Sequence, residues 1–131
     1  MVKISLIREC NNKIDESSAP RVAVFVGGTA GIGRITLARL VGLGTSLKAY
    51  VVGRKQSEQS FRPVIEELQQ GNPKATVIWV EGEVSLLSEV KRICDRIRTL
   101  ESSIDLLFMT PGYAPFAGRM STTSRPNIIT G

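Results

Sequence analysis

Short apolar runs alternate with amphipathic stretches along most of this chain. Residues 21–26, 47–52, 75–80 and 104–109 are β-branched and apolar runs of strand length. Between them lie helical patterns. Residues 34–44 turn Ile35, Leu37, Ala38, Leu40 and Val41 inward and end at Gly42 or Gly44. Residues 61–70 line up Phe61, Val64, Ile65 and Leu68, after a polar turn and cap at 56–60. Pro63 then belongs in the first helical turn, and Gly71-Asn72-Pro73 is a stop. Ser85 is placed to cap a third helix whose face is Leu86, Leu87, Val90, Ile93, Cys94, Ile97 and Leu100. Ahead of all this, residues 5–14 put Leu6, Ile7, Cys10 and Ile14 on one face, as expected of a short helix packed on the domain edge.

The series βαβαβαβ predicts an α/β fold with an open parallel sheet, because right-handed crossovers leave few alternatives. Doubly wound, its strand order is 3-2-1-4, and its ligand crevice lies at the carboxyl ends of strands one and four. The expected organisation is an N-terminal helix and linker over residues 1–20, a Rossmann-like domain over 21–117, and a polar, irregular tail over 118–131.

Composition narrows the function. The chain has 131 residues, 42% of them hydrophobic and 22% charged, which suits one folded domain rather than disorder. Seventeen basic against twelve acidic residues give a net charge of +5 without any basic run. That balance favours an anionic small molecule over nucleic acid, and the sparse aromatics offer no stacking series. No stretch approaches the roughly 20 apolar residues of a membrane span. Cys10 and Cys94 lack metal-ligand spacing, the chain has no histidine, and Cys94 reads as a small buried hydrophobe. The expected setting is cytoplasmic and reducing, with no metal.

The chemistry concentrates in residues 26–33, VGGTAGIG, between the first strand and its helix. Strand, glycine loop and helix N-terminus together make a phosphate site from backbone N–H groups. Side chains at Gly27 or Gly31 obstruct the turn, and Gly33 lets helix and strand approach closely. Thr29 and Arg34 are placed to add a hydrogen bond and a charge.

This loop resembles the T-G-x-x-x-G-I-G cofactor loop of the short-chain dehydrogenase/reductase family, with Val26 in place of the threonine. The resemblance continues through AYVVGRK, VEGEVSL, LLFMTPG and YAPFAGR, over roughly residues 4 to 119. It is nearest to fungal reductases often found among secondary-metabolite genes. It implies a dinucleotide lying along Gly27, Thr29, Gly31, Ile32 and Gly33. Gly53, where NAD-preferring members carry an acid for the ribose 2′-OH, leaves that place to Arg54 and Lys55, which points to NADP. Glu83 stands where an aspartate usually bonds the adenine, followed by Val84. As a bare sequence feature, Glu83 also reads as a solvated acid ahead of a helix N-terminus, favoured there by the dipole. Thr110, Pro111 and Gly112 replace the N-A-G turn behind the ribose.

The family's Tyr-x-x-x-Lys pair is not matched: of the two tyrosines, Tyr50 falls in a strand and Tyr113 is followed by APFAG. No catalytic residue is therefore assigned. Three readings stand: an NADP-dependent oxidoreductase by descent, truncated to its cofactor-binding half and inactive alone; an NADP-binding regulatory or interaction fragment; and a non-functional remnant. On the second reading the fourth strand is an open edge seeking a partner, and self-association through that uncovered edge is the protein contact expected.

Overall fold

The computed structural model describes residues 1–111. Gly112, Tyr113 and the 118–131 tail lie outside them. The elements are α1 (Ile4–Asn12), β1 (Val22–Val26), α2 (Gly31–Val41), β2 (Lys48–Gly53), α3 (Lys55–Gly71), β3 (Thr76–Glu81), α4 (Leu87–Leu100) and β4 (Leu106–Met109). The four strands form one parallel sheet in the order β3-β2-β1-β4. The expected α/β topology is therefore the observed one.

Alternation along each strand divides the core between two faces. Ala23, Phe25, Ala49, Val51 and Val77 meet Leu37 and Val41 of α2 and Phe61 of α3. On the other face Val24, Tyr50, Val52 and Val80 meet Ile93 and Ile97 of α4. Phe25 also packs its ring against Phe108 of β4, centroids 5.3 Å apart. The start of β1 is fixed from far along the chain. The Asp105 carboxylate accepts the N–H groups of Arg21 (2.9 Å) and Val22 (3.0 Å), and its own N–H donates to the Val22 carbonyl. Buried Asn72 ties α3 to the end of α2 by donating to the carbonyls of Val41 (3.0 Å) and Thr45 (2.9 Å).

Several helical details differ from the sequence expectation. In α2 the inward stripe is Gly33, Leu37 and Val41, at four-residue spacing, while Ile35 is 63% exposed and Ala38 faces solvent. In α4 the same spacing buries Ile93 and Ile97 and leaves Cys94 and Leu100 exposed, so Cys94 is not a core residue. The fully buried positions are thus fewer than the apolar ones, with Leu40 only partly buried against the core.

The expected turn at 56–60 is helical. α3 starts at Lys55 and carries Pro63 in its interior, not its first turn. Pro63 and Gln59 both lie on the exposed side, so the Gln59 carbonyl that loses its helical bond faces water. Burial of Phe61 against Trp79 holds this stretch in register. Ser85 does not cap α4; Leu86 stands at the cap, and the Ser85 hydroxyl donates to Glu83 at 3.1 Å. Finally, α1 forms but has no buried residue, so its apolar face is not the packed face expected of it. Only Ile14, beyond its end, is half-buried, lining a cleft with Leu40 and Leu43.

Candidate functional site

Because all four strands run the same way, everything that follows a strand lies on one edge of the sheet. That edge gathers the loop 27–33, the Gly53-Arg54-Lys55 corner, the Gly82-Glu83-Val84 loop and Thr110-Pro111. Gly112 belongs to the same run of sequence but lies outside the described residues.

The glycine loop is built by three different constraints. Gly27 has φ +99°, in the left-handed region, and a Cβ there meets the Thr110 hydroxyl. Gly31 has φ +59°, but a Cβ meets nothing within 4 Å. Its requirement is the backbone angle, not the obstruction expected from the sequence. Gly33 has ordinary helical angles, yet its Cβ runs into the Gly27 carbonyl oxygen and comes within 3.1 Å of the Gly28 Cα. Loop and helix are thus in backbone contact.

β1 and β4 close over this loop. Val26 pairs with Met109 in register, the Thr110 N–H donates to the Val26 carbonyl at 2.9 Å, and the Thr110 hydroxyl donates to the Gly27 carbonyl at 3.3 Å. The glycine loop and the Thr110 turn therefore end adjacent strands, as expected.

The α2 N-terminus opens beside them. Its cap residue, Ala30, offers no side-chain acceptor, so the first-turn N–H groups are left to solvent or an anion. Thr29 is half-buried at this mouth, Ile32 is 73% exposed, and Arg34 stands exposed in the first turn.

On the next strand, Arg54 and Lys55 are exposed, and among the described residues neither joins an ion pair. Further along, Val84 packs on the second core cluster, a structural duty for a residue expected at the cofactor. Gly82 and its neighbours are clamped by α4. Arg92 donates to the Glu81 carbonyl at 2.7 Å and to both oxygens of Glu89. The Arg92 guanidinium, aided by the Glu83 N–H, holds the Glu89 carboxyl below its ordinary range.

Two features were not visible in the sequence. The Arg92–Glu89 pair is spaced i, i+3 on α4, and nothing in that spacing discloses the further bond from Arg92 to the Glu81 carbonyl. The contact of Trp79 with Gly53 needed the β2–β3 register, which no local pattern discloses. Tyr50 is fully buried in β2 and donates to Glu101 at 2.8 Å, beside Lys48 at the opposite end of the sheet. Burial, with the Glu101 carboxylate, pushes its phenol up to about 12. Tyr50 therefore has no access to the glycine loop. Among the described residues no cluster of metal-ligating side chains occurs, and no helix is long and apolar enough to cross a membrane.

At this edge the loop carries glycine at 27, 28, 31 and 33, the N-terminus of α2 opens beside it, and two exposed cations that join no ion pair among the described residues stand one strand away.

No protein-family model matches the chain. Among curated proteins it is 43% identical, over 100 residues, to Oxidoreductase AN1596 of Emericella nidulans, covering 76% of this chain and 29% of that protein. It is 31% identical over 109 residues to the short chain dehydrogenase/reductase dpfgH of Gibberella zeae, covering 78% and 30%. The chain thus spans less than a third of either relative's length.

Among solved structures, a Sinorhizobium meliloti 1021 protein described as a short-chain dehydrogenase/reductase superposes with a TM-score of 0.58 at 27% identity. That alignment covers 78% of this chain and 44% of the other. The Pseudomonas aeruginosa RhlG complex with NADP superposes with a TM-score of 0.60 at 19% identity, over 75% of this chain and 37% of RhlG. At that identity the likeness is one of fold.

Proposed function

Since the chain belongs to the short-chain dehydrogenase/reductase family, we propose that it is the coenzyme-binding part of an NADP-dependent oxidoreductase of fungal secondary metabolism. Residues 21–117 are the binding domain in this reading, 1–20 an N-terminal extension and 118–131 a tail, and the protein works in the cytoplasm. The observation that carries it is the meeting of the Gly27–Gly33 loop with Thr110 at the ends of paired strands. That is the crevice where an α/β sheet takes its ligand.

Each residue then has a task. Backbone N–H groups of the loop and of Gly31, Ile32 and Gly33 hold the pyrophosphate, with Thr29 beside it. Arg54 and Lys55 hold the ribose 2′-phosphate as charge-assisted donors. Glu83 accepts the adenine amino group, Val84 supports that loop, and Thr110, Pro111 and Gly112 back the ribose. When bound, the coenzyme supplies the hydride at its nicotinamide C4. Proton transfer to a carbonyl oxygen needs a donor, and these 131 residues hold no Tyr-x-x-x-Lys pair. The chain by itself is therefore proposed to bind NADP(H) without turning over substrate.

The test is calorimetric titration with NADPH and NADH. NADPH is expected to bind more tightly, and Arg54→Ala to remove most of the difference, about 1–3 kcal/mol for one charge-assisted contact. Equal affinities in the parent protein defeat the NADP assignment.

A second reading, an NADP-binding interaction module, draws on β4. It is an edge strand among the described residues, with Leu107 53% and Met109 60% exposed. Sedimentation across a concentration series distinguishes the two. A concentration-dependent dimer favours the module.

A further inference from the structure

Trp79 and Gly53 lie on the same face of neighbouring strands. Val51 pairs with Trp79 and Gly53 with Glu81, so Gly53 sits diagonally one pleat further toward the carboxyl edge. The indole leans along that diagonal. A Cβ built on Gly53 penetrates the six-membered ring, meeting Cη2 and coming within 2.9 Å of Cζ3 and 3.0 Å of Cζ2. Phe61 of α3 packs against the half-buried ring, centroids 5.8 Å apart, and hinders its retreat on that side. The Trp79 N–H is buried and finds no acceptor among the described residues, so packing alone holds the ring.

We propose that Trp79 is a specificity-determining residue for the coenzyme. Its indole occupies the place that any side chain at the end of β2 must cross. An acid there, the group that accepts bonds from an unphosphorylated ribose, is excluded by shape. Ribose recognition passes to the next residue, Arg54, whose cation demands a phosphate. Selectivity is thus set on β3, one strand away from the residues that touch the nucleotide. The inference rests on the dinucleotide reading of this edge.

Two measurements test it, one of them independent of any ligand. In urea unfolding, Gly53→Asp lowers stability in the parent and lowers it far less in a Trp79→Val background. Gly53→Ala repeats the cycle with a smaller side chain in case the acid alone prevents folding. Additive effects in both cycles overturn the interlock. In calorimetric titration, the double variant Gly53→Asp/Trp79→Val is expected to shift the NADPH-to-NADH affinity ratio toward NADH by about tenfold or more relative to the parent. An unchanged ratio overturns the selectivity claim. Trp79 is the sole tryptophan, so quenching of its emission by NADPH reports binding in the parent. No quenching and no heat with either dinucleotide defeats the binding reading and this inference with it, whereas binding with additive cycles defeats the inference alone.

Discussion

Substituting alanine for glycine at two helical positions separates backbone propensity from close packing. Gly71 is the last residue of α3, exposed, and a Cβ there meets nothing within 4 Å. Neither Gly71 nor Gly33 has a positive φ. Gly71→Ala should therefore gain the usual helical benefit, about 0.5–1 kcal/mol. Gly33→Ala has the same benefit available, but its Cβ is driven into the Gly27 carbonyl and lies within 3.1 Å of Gly28 Cα. Backbone cannot swing aside as a flexible side chain does, so the overpacking cost of about 1–3 kcal/mol applies. It outweighs the propensity gain, and the two variants should differ by about 1–3 kcal/mol in opposite directions. Urea unfolding followed by far-ultraviolet circular dichroism measures both. Gly33→Ala should also weaken NADPH binding, because the displaced loop is the phosphate cradle, while Gly71→Ala leaves binding unchanged. A Gly33→Ala protein as stable as Gly71→Ala would refute the backbone contact between loop and helix.

Pro63→Ala restores a donor to the Gln59 carbonyl inside α3 and should stabilise the protein by about 1–3 kcal/mol, read as a higher urea midpoint; a lower midpoint contradicts the helical assignment. With the Tyr50 phenol raised from 10.0 to about 12, the native state keeps a proton that the unfolded chain releases. Stability is then whole below about pH 10 and falls between about pH 10 and 12, and Tyr50→Phe flattens that limb. Unfolding midpoints across alkaline pH check the slope, which should not survive in Tyr50→Phe. On the acid side, Lys48 and Tyr50 hold Glu101 low, and the Val22 and Arg21 N–H groups hold Asp105 low. Their stabilisation is present above about pH 4 and is lost as pH falls through the lowered native values.

The sheet was legible because its strands are continuous apolar runs, which only a two-sided core accepts, and because parallel crossovers restrict their order. The crevice follows from that order, which brings the glycine loop and the Thr110 turn together at the ends of adjacent strands. Helix faces were less legible. An apolar stripe drawn generously around α2 and α4 includes Ile35, Ala38 and Cys94, but the positions these helices bury fall at four-residue spacing and leave those three exposed. The start of α3 was hidden by polar residues and by Pro63, whose local signal is overridden by the burial of Phe61. Gly53 was read as an empty place and is instead a place filled by Trp79. That distinction depends on which residues of β2 and β3 sit abreast.

The long reach of Asp105 has a consequence for how the chain is made. The two N–H groups it satisfies lie 84 and 83 residues earlier, at the very start of the central strand. Translation at about 5–20 residues per second leaves them without that partner for roughly 4–17 seconds after they leave the peptidyl transferase centre. From the emergence of β2 to the end of that interval β1 is flanked by β2 alone, and its other margin is a bare ladder. Nascent chains halted before residue 105 should accordingly recruit holding chaperones and be cut readily by proteases. Chains extended far enough to carry Asp105 through Met109 clear of the exit tunnel should become resistant in one abrupt step.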